Sequence, residues 1–169
     1  MKYFFLIAIL SMSSCSVKYY PLKGHYPETP IIYTSEKSFD KVWDNIIDFF
    51  AQKGISIAVI DRTSGLIVSS QSGIIGTTEN SKGQLRYKEA FFVLQSSNAM
   101  NDNSDFYKKI NMTAKWNIRI KKIDSGTSIN INLTDAERTI LLGNGAKQAT
   151  AALGRTTGVF ENLVYNDIK

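Results

Sequence analysis

The sequence predicts an α+β fold: a single domain in which an antiparallel sheet packs on a helix in the N-terminal half and on a second helix at the C-terminal end. Three observations carry this. Phe39, Val42, Trp43, Ile46, Ile47 and Phe50 recur at three-and-four spacing, which lines one face of a helix. Ile110, Met112, Ala114, Trp116, Ile118 and Ile120 alternate with Lys109, Asn111, Thr113, Lys115, Asn117, Arg119 and Lys121, the period of a strand with one buried and one wet face. Val159, Phe160, Leu163, Val164 and Ile168 then return to helical spacing.

Residues 1–14 read as an address rather than a fold element. Lys2 precedes the apolar run from Tyr3 to Leu10, and Ser13 and Ser14 lead into Cys15, the one cysteine of the chain. The run falls short of the about 20 residues that span a bilayer, and it has the charged start, apolar middle and small-residue end of a secretory signal. The arrangement resembles a bacterial lipoprotein signal. That resemblance implies cleavage before Cys15, lipidation of its thiol and attachment to a membrane through the lipid anchor. Two or more acyl chains hold a protein stably where one holds it marginally. With Ser16, not Asp, after the cysteine, the resemblance further implies the outer membrane, with the domain facing the periplasm. The plainer alternative is an ordinary secretory signal followed by a free thiol.

Residues 15–30 hold Pro21, Pro27, Pro30, Gly24 and the single histidine, His25, without apolar periodicity. They read as a proline-rich tether that stands the domain away from the bilayer. The globular domain is expected over residues 31–169. Ile31-Ile32-Tyr33 is its first strand. Ser38 suits the N-cap of the following helix, Asp40 its first turn, and Gly54 a left-handed stop. Phe49 lies off the apolar stripe, as in a helix gripped on more than one side. Ile55, Ile57 and Val59 alternate, Asp61 to Gly65 supply a turn, and Leu66-Ile67-Val68 return, which predicts a hairpin.

Gln71 to Gln84, with three glycines among Ser, Thr and Asn, reads as a loop; Leu85 to Gln95 as a strand; Ser96 to Asp105 as a second loop. The alternating strand from Lys109 to Lys121 turns at Asp124-Ser125-Gly126 and pairs with Ile129, Ile131 and Leu133. Residues 136–153 are ambiguous: Thr139 to Leu142 suit a strand, whereas Ala146 to Ala152 favour helix.

This order is similar to the helix-grip arrangement of BamC-like domains in outer-membrane barrel-assembly lipoproteins. The likeness rests on the Ser38 to Lys53 helix, the Gly54-Ile55 to Asp61 strand, the Ser64-Gly65-Leu66-Ile67 turn and the Thr157-Gly158-Val159-Phe160-Glu161 helix start. It implies a non-catalytic subunit or scaffold of an envelope assembly or secretion complex, and it carries no functional residue across. Helix-grip folds also hold lipids between helix and sheet, so a carrier of a hydrophobic ligand is the alternative, with a hydrolase third.

Composition sets further bounds. With 43% hydrophobic and 21% charged residues the chain matches soluble globular domains. Its formal charge is +5, or +4 once Lys2 is removed with the signal, a surplus that favours anionic surfaces. Nucleic-acid signatures are lacking, and no nucleic-acid partner is expected. His25 in the tether is a poor base for a nucleophilic triad. One histidine, one lipidated cysteine and no calcium-loop spacing leave no metal site to expect. Gly143-Asn144-Gly145-Ala146-Lys147-Gln148 lacks the Gly-Lys-Ser/Thr of a phosphate loop. The carboxylates beside apolar segments have structural explanations: Asp61 in a turn, Asp135 as a cap and Glu161 in the first turn of a helix, with Glu89 and Glu137 on the flanks. No catalytic residue and no cofactor are therefore expected. The candidate site is the basic face Lys109, Lys115, Arg119 and Lys121, which is either the solvated side of a sheet or a surface for an acidic partner.

Overall fold

The computed structural model describes residues 18–71, 75–97, 110–141 and 147–169. Helix α1 (Phe39–Gln52) begins where the sequence places it: Ser38 is extended, and its hydroxyl accepts from the Lys41 amide. It ends in paired reverse bonds. Gly54, at φ +64°, donates to Ala51 O at 3.1 Å, and Ile55 donates to Phe50 O at 2.9 Å, satisfying two carbonyls that the helix end would leave open. Val42, Trp43, Ile46 and Phe50 are buried, and so is Phe49. The Phe49 ring meets Phe160 of the C-terminal helix α2 (Val159–Ile168) at 5.8 Å, so the helix is held by a second helix as well as by the sheet.

The main sheet runs β1 (Ile31–Ser35), β7 (Gly126–Leu141), β6 (Ile110–Ile123), β3 (Leu66–Ser69), β2 (Ile57–Asp61), every neighbour antiparallel. Its register aligns one isoleucine from each strand: Ile31, Ile131, Ile118, Ile67 and Ile60. The three central members are fully buried, whereas Ile60 on the edge strand is mostly exposed. The row Tyr33, Ile129, Ile120 lies beside it, and Trp116 opposite Leu133 follows. Trp116 stacks on Phe160 at 4.4 Å, while Phe91 and Phe92 meet it edge-on at 6.2 and 6.0 Å. These rings, with Phe49 and Phe50, fill the space between helices and sheet.

Four sequence expectations are corrected. Within the expected loop 71–84 lies β4 (Gly76–Thr78), and the expected strand 85–95 is reduced to β5 (Phe92–Leu94). These two pair parallel, and β9 (Gly154–Thr156) pairs antiparallel with β5, forming a small mixed sheet that the sequence did not suggest. Residues expected to favour helix after Ala146 form β8 (Lys147–Ala151) instead. The cause is tertiary: β1 covers only Thr127–Ile131 of β7, and β8 takes the backbone groups of Glu137–Leu141 left open beyond it, which outweighs local propensity. Asp135 is not a cap. It sits at φ 48° where the β6–β7 register shifts between Thr113 and Lys115, a bulge that bends the long hairpin.

The segment 18–30, expected to stand the domain off, lies against it. Tyr19 bridges Ser97 and the Tyr20 amide donates to Ser96 O at 2.8 Å. Further along, the Lys23 and Gly24 amides and the Tyr26 hydroxyl all donate to the Glu79 carboxylate, at 2.8, 2.7 and 2.5 Å. A Cβ on Gly24 would stand 2.8 Å from Glu79 Oε1 and 2.7 Å from Tyr26 Oη, so a larger residue would push these side chains from their present bonds.

Candidate functional site

Of the four residues proposed for the basic face, Lys109 lies outside the described residues, as does Cys15. The other three alternate along one face of β6 but differ in what they meet. Lys115 pairs with Asp135 across the bulge, Nζ to Oδ2 2.9 Å, and is half-buried. Arg119 is exposed in a cross-sheet row Asp61, Leu66, Arg119, Asn130, Ile32. Asp61 is held below its usual range first by hydrogen bonds from Ser64 and Thr63, with Arg119 adding a smaller charge contribution. Lys121 is exposed and makes no ion pair among the described residues.

Lys121 instead belongs to a second group that sequence reasoning missed, gathered at the β6–β7 turn. A surface recess of about 480 Å³ is lined by Phe39, Asp40, Arg62, the Thr63-Ser64-Gly65 turn and Ile120-Lys121-Lys122. Its apolar wall is Phe39, with Lys122 Nζ 5.7 Å from the ring centroid. Arg62 bonds Asp40 at 2.7 Å, approaches Asp44 at 3.8 Å and stands over the Trp43 ring at 5.7 Å. The Arg62 hydrogen bond, working against some desolvation, lowers the Asp40 carboxyl below its usual value. Gly65 is required here: at φ +71° it brings its backbone against Ile120, whose amide donates to Gly65 O at 2.8 Å, and a Cβ would collide with Ile120 O. A neighbouring recess of about 540 Å³ joins Thr34, Ser35, Glu36, Lys37, Ser125, Tyr165 and Lys169. One end of the molecule thus carries Lys37, Arg62, Lys121, Lys122 and Lys169. The signal was in the sequence only as scattered cations; the β2–β3 turn and the long hairpin bring them together.

Among the described residues, Glu79 and Glu161 are the buried carboxylates. Glu79 is opposed by desolvation, yet the amides of Lys23 and Gly24 and the Tyr26 hydroxyl outweigh it and hold the group below its usual value. Glu161 is the reverse: burial pushes it up, offset in part by the Thr156 hydroxyl at 2.7 Å. It is fully buried, beside the Trp116 indole. His25 is exposed, between Gly24 and Tyr26, which both donate to Glu79.

Among the described residues no helix is long and apolar enough to cross a membrane, and no cluster of three His, Cys, Asp or Glu side chains is placed to hold a metal ion. A scan against protein-family models finds no family that matches the chain, and a search of curated proteins finds no match either.

Proposed function

We propose that the chain is a non-catalytic lipoprotein, anchored through Cys15 to the periplasmic side of the outer membrane, that serves as a scaffold or accessory subunit in envelope assembly or secretion. In this reading its fold is of helix-grip type, akin to BamC-like domains. The observation that carries it is the recess at the β6–β7 turn, where Lys121 and Lys122 border the apolar wall of Phe39 and make no salt bridge among the described residues, Asp40 on the same rim being bonded to Arg62. Such a surface suits an acidic segment of a partner protein, whose carboxylates would meet the lysines while an apolar side chain covers Phe39. The carrier alternative needs a pocket of about 300–1,000 Å³ inside the fold, a space that Trp116, Phe160 and their neighbours occupy.

The test is recovery of partners with the native lipoprotein extracted in detergent. Lys121→Glu with Lys122→Glu should release an acidic envelope protein that the unmodified chain retains, while the melting temperature stays within a degree or so, as expected of exposed substitutions. A stoichiometric lipid seen by native mass spectrometry, together with unchanged recovery by the double variant, would replace the scaffold with the carrier.

A further inference from the structure

At the end of the domain away from the basic recesses, the first described residues carry an exposed apolar surface. Tyr19 and Tyr20 are 42% and 52% exposed, and Leu153 is 56% exposed. They belong together because Tyr20 bonds Ser96 while the next-door Gln95 amide donates to Leu153 O at 3.1 Å. Ala149 and Ala151, exposed on β8, continue the same alternation toward Leu153. The patch is rigidly backed. The buried Arg138 guanidinium stands under the Tyr19 ring at 5.4 Å, and it donates to Gln95 O and to the Ser97 hydroxyl. Lys18, exposed, precedes it.

We infer that this surface lies on the headgroup layer of the membrane that holds the chain, so that the domain is seated on the bilayer rather than suspended from it. The inference rests on the proposed lipidation of Cys15. Only Ser16 and Val17 separate Cys15 from Lys18, and chain of that length reaches at most about 11 Å. A lipidated cysteine sits at the boundary of acyl chains and headgroups, and the headgroup layer is itself about 5–8 Å thick. Tyr19 and Tyr20 can therefore reach headgroup depth, the level that amphipathic aromatic rings favour. Leu153 and the β8 alanines add apolar area, and Lys18 supplies a charge for anionic lipid. Because the segment from Tyr19 to Tyr26 is bonded to Ser96, Ser97 and Glu79, it cannot pay out as a longer tether without breaking those bonds. Seating this end also points the basic turn into the periplasm. Gly126 and Ala136 lie ten residues apart on β7, on the order of 30 Å along a strand, and Ala152 bonds Ala136 at the membrane end.

The experiment uses the full chain with one added cysteine, Leu153→Cys or Ser125→Cys, both exposed positions. Each variant is labelled with bimane and reconstituted in vesicles of phosphatidylethanolamine and phosphatidylglycerol carrying a nitroxide on the headgroup. Quenching should be several-fold stronger at position 153 than at 125, and Tyr19→Ser with Tyr20→Ser should reduce it. Equal, weak quenching at both positions overturns the seating. The mass of the N-terminal peptide separates the two claims: a diacylglyceryl-modified Cys15 with no quenching at 153 defeats the seating alone, whereas an unmodified Cys15 defeats the anchor and the seating with it.

Discussion

Glu79 and Glu161 show how one side-chain type is tuned in opposite directions by what surrounds it. Glu161 has its carboxyl raised by burial. A raised acid contributes stability that is fully present below its unfolded value and is lost as pH rises through the folded value. Glu161→Gln keeps the shape and a hydrogen bond to Thr156 but removes the charge. It should therefore raise the melting temperature at about pH 8 and make little difference at about pH 3, where the wild-type group is protonated in both states. Equal effects at the two pH values would mean that the carboxylate is not desolvated. Glu79, lowered, runs the other way: its stability is present above the ordinary carboxylate range and is lost as pH falls through the folded value. The Lys23 and Gly24 amides should exchange with solvent faster, relative to their intrinsic rates, once Glu79 is protonated. Glu79→Gln should make that exchange fast at every pH. Unchanged protection in the variant would place the stability of this segment elsewhere.

At the scale of the element, α1 and the β6–β7 hairpin were legible because their periods are long and unbroken. Ser38, Asp40 and Gly54 mark the helix with local chemistry, and six alternating apolar residues mark β6. Two predictions follow from that legibility. Trp43, 4% exposed and 5.8 Å from Phe39, should cost about 3–5 kcal/mol when truncated to Ala, read by denaturant unfolding. Gly54 has nothing within 4 Å of where a Cβ would stand, so Gly54→Ala should cost about 1–2 kcal/mol from the left-handed backbone alone, and Gly54→Asn less. What the sequence hid is equally specific. β4, β5 and β9 have three residues each, too few to show a period, and β4 lies in a stretch whose glycines read as loop. Gly76 is there for close approach, since a Cβ would press on Phe92 and Met112. β8 is a strand because of where β7 lies open. The recess was illegible for the same reason: Arg62 and Lys121 are far apart in sequence and meet only because β3 pairs with β6 and the β2–β3 turn folds against Ile120.

At the scale of the whole molecule, the two ends differ in chemistry, with exposed tyrosines and Leu153 at one and lysines around shallow recesses at the other. In the proposed lipoprotein, how these ends are placed against a membrane depends on whether residues 18–28 belong to the domain. Proline content suggested a tether, but proline restricts φ without saying what the chain rests on. Glu79 supplies that support, and Gly24 and Gly83 make room for it: a Cβ on Gly83, at φ +79°, would meet Lys23 Cβ at 2.9 Å. A chain that starts at Thr29 would leave Glu79 buried without its three donors and Arg138 without the Tyr19 ring above it. Hydrogen bonds to a charged group each contribute about 1.5–3 kcal/mol, but ordering the segment takes back much of the total. A net loss of about 2 kcal/mol lowers the melting temperature of a domain this size by roughly 4–8 °C. Thus a chain from Lys18 should melt several degrees above one from Thr29, and the gap should narrow in a Glu79→Gln background. Two truncations that melt together would return residues 18–28 to the role of a free tether, and the proposed seating of the domain would lose its support.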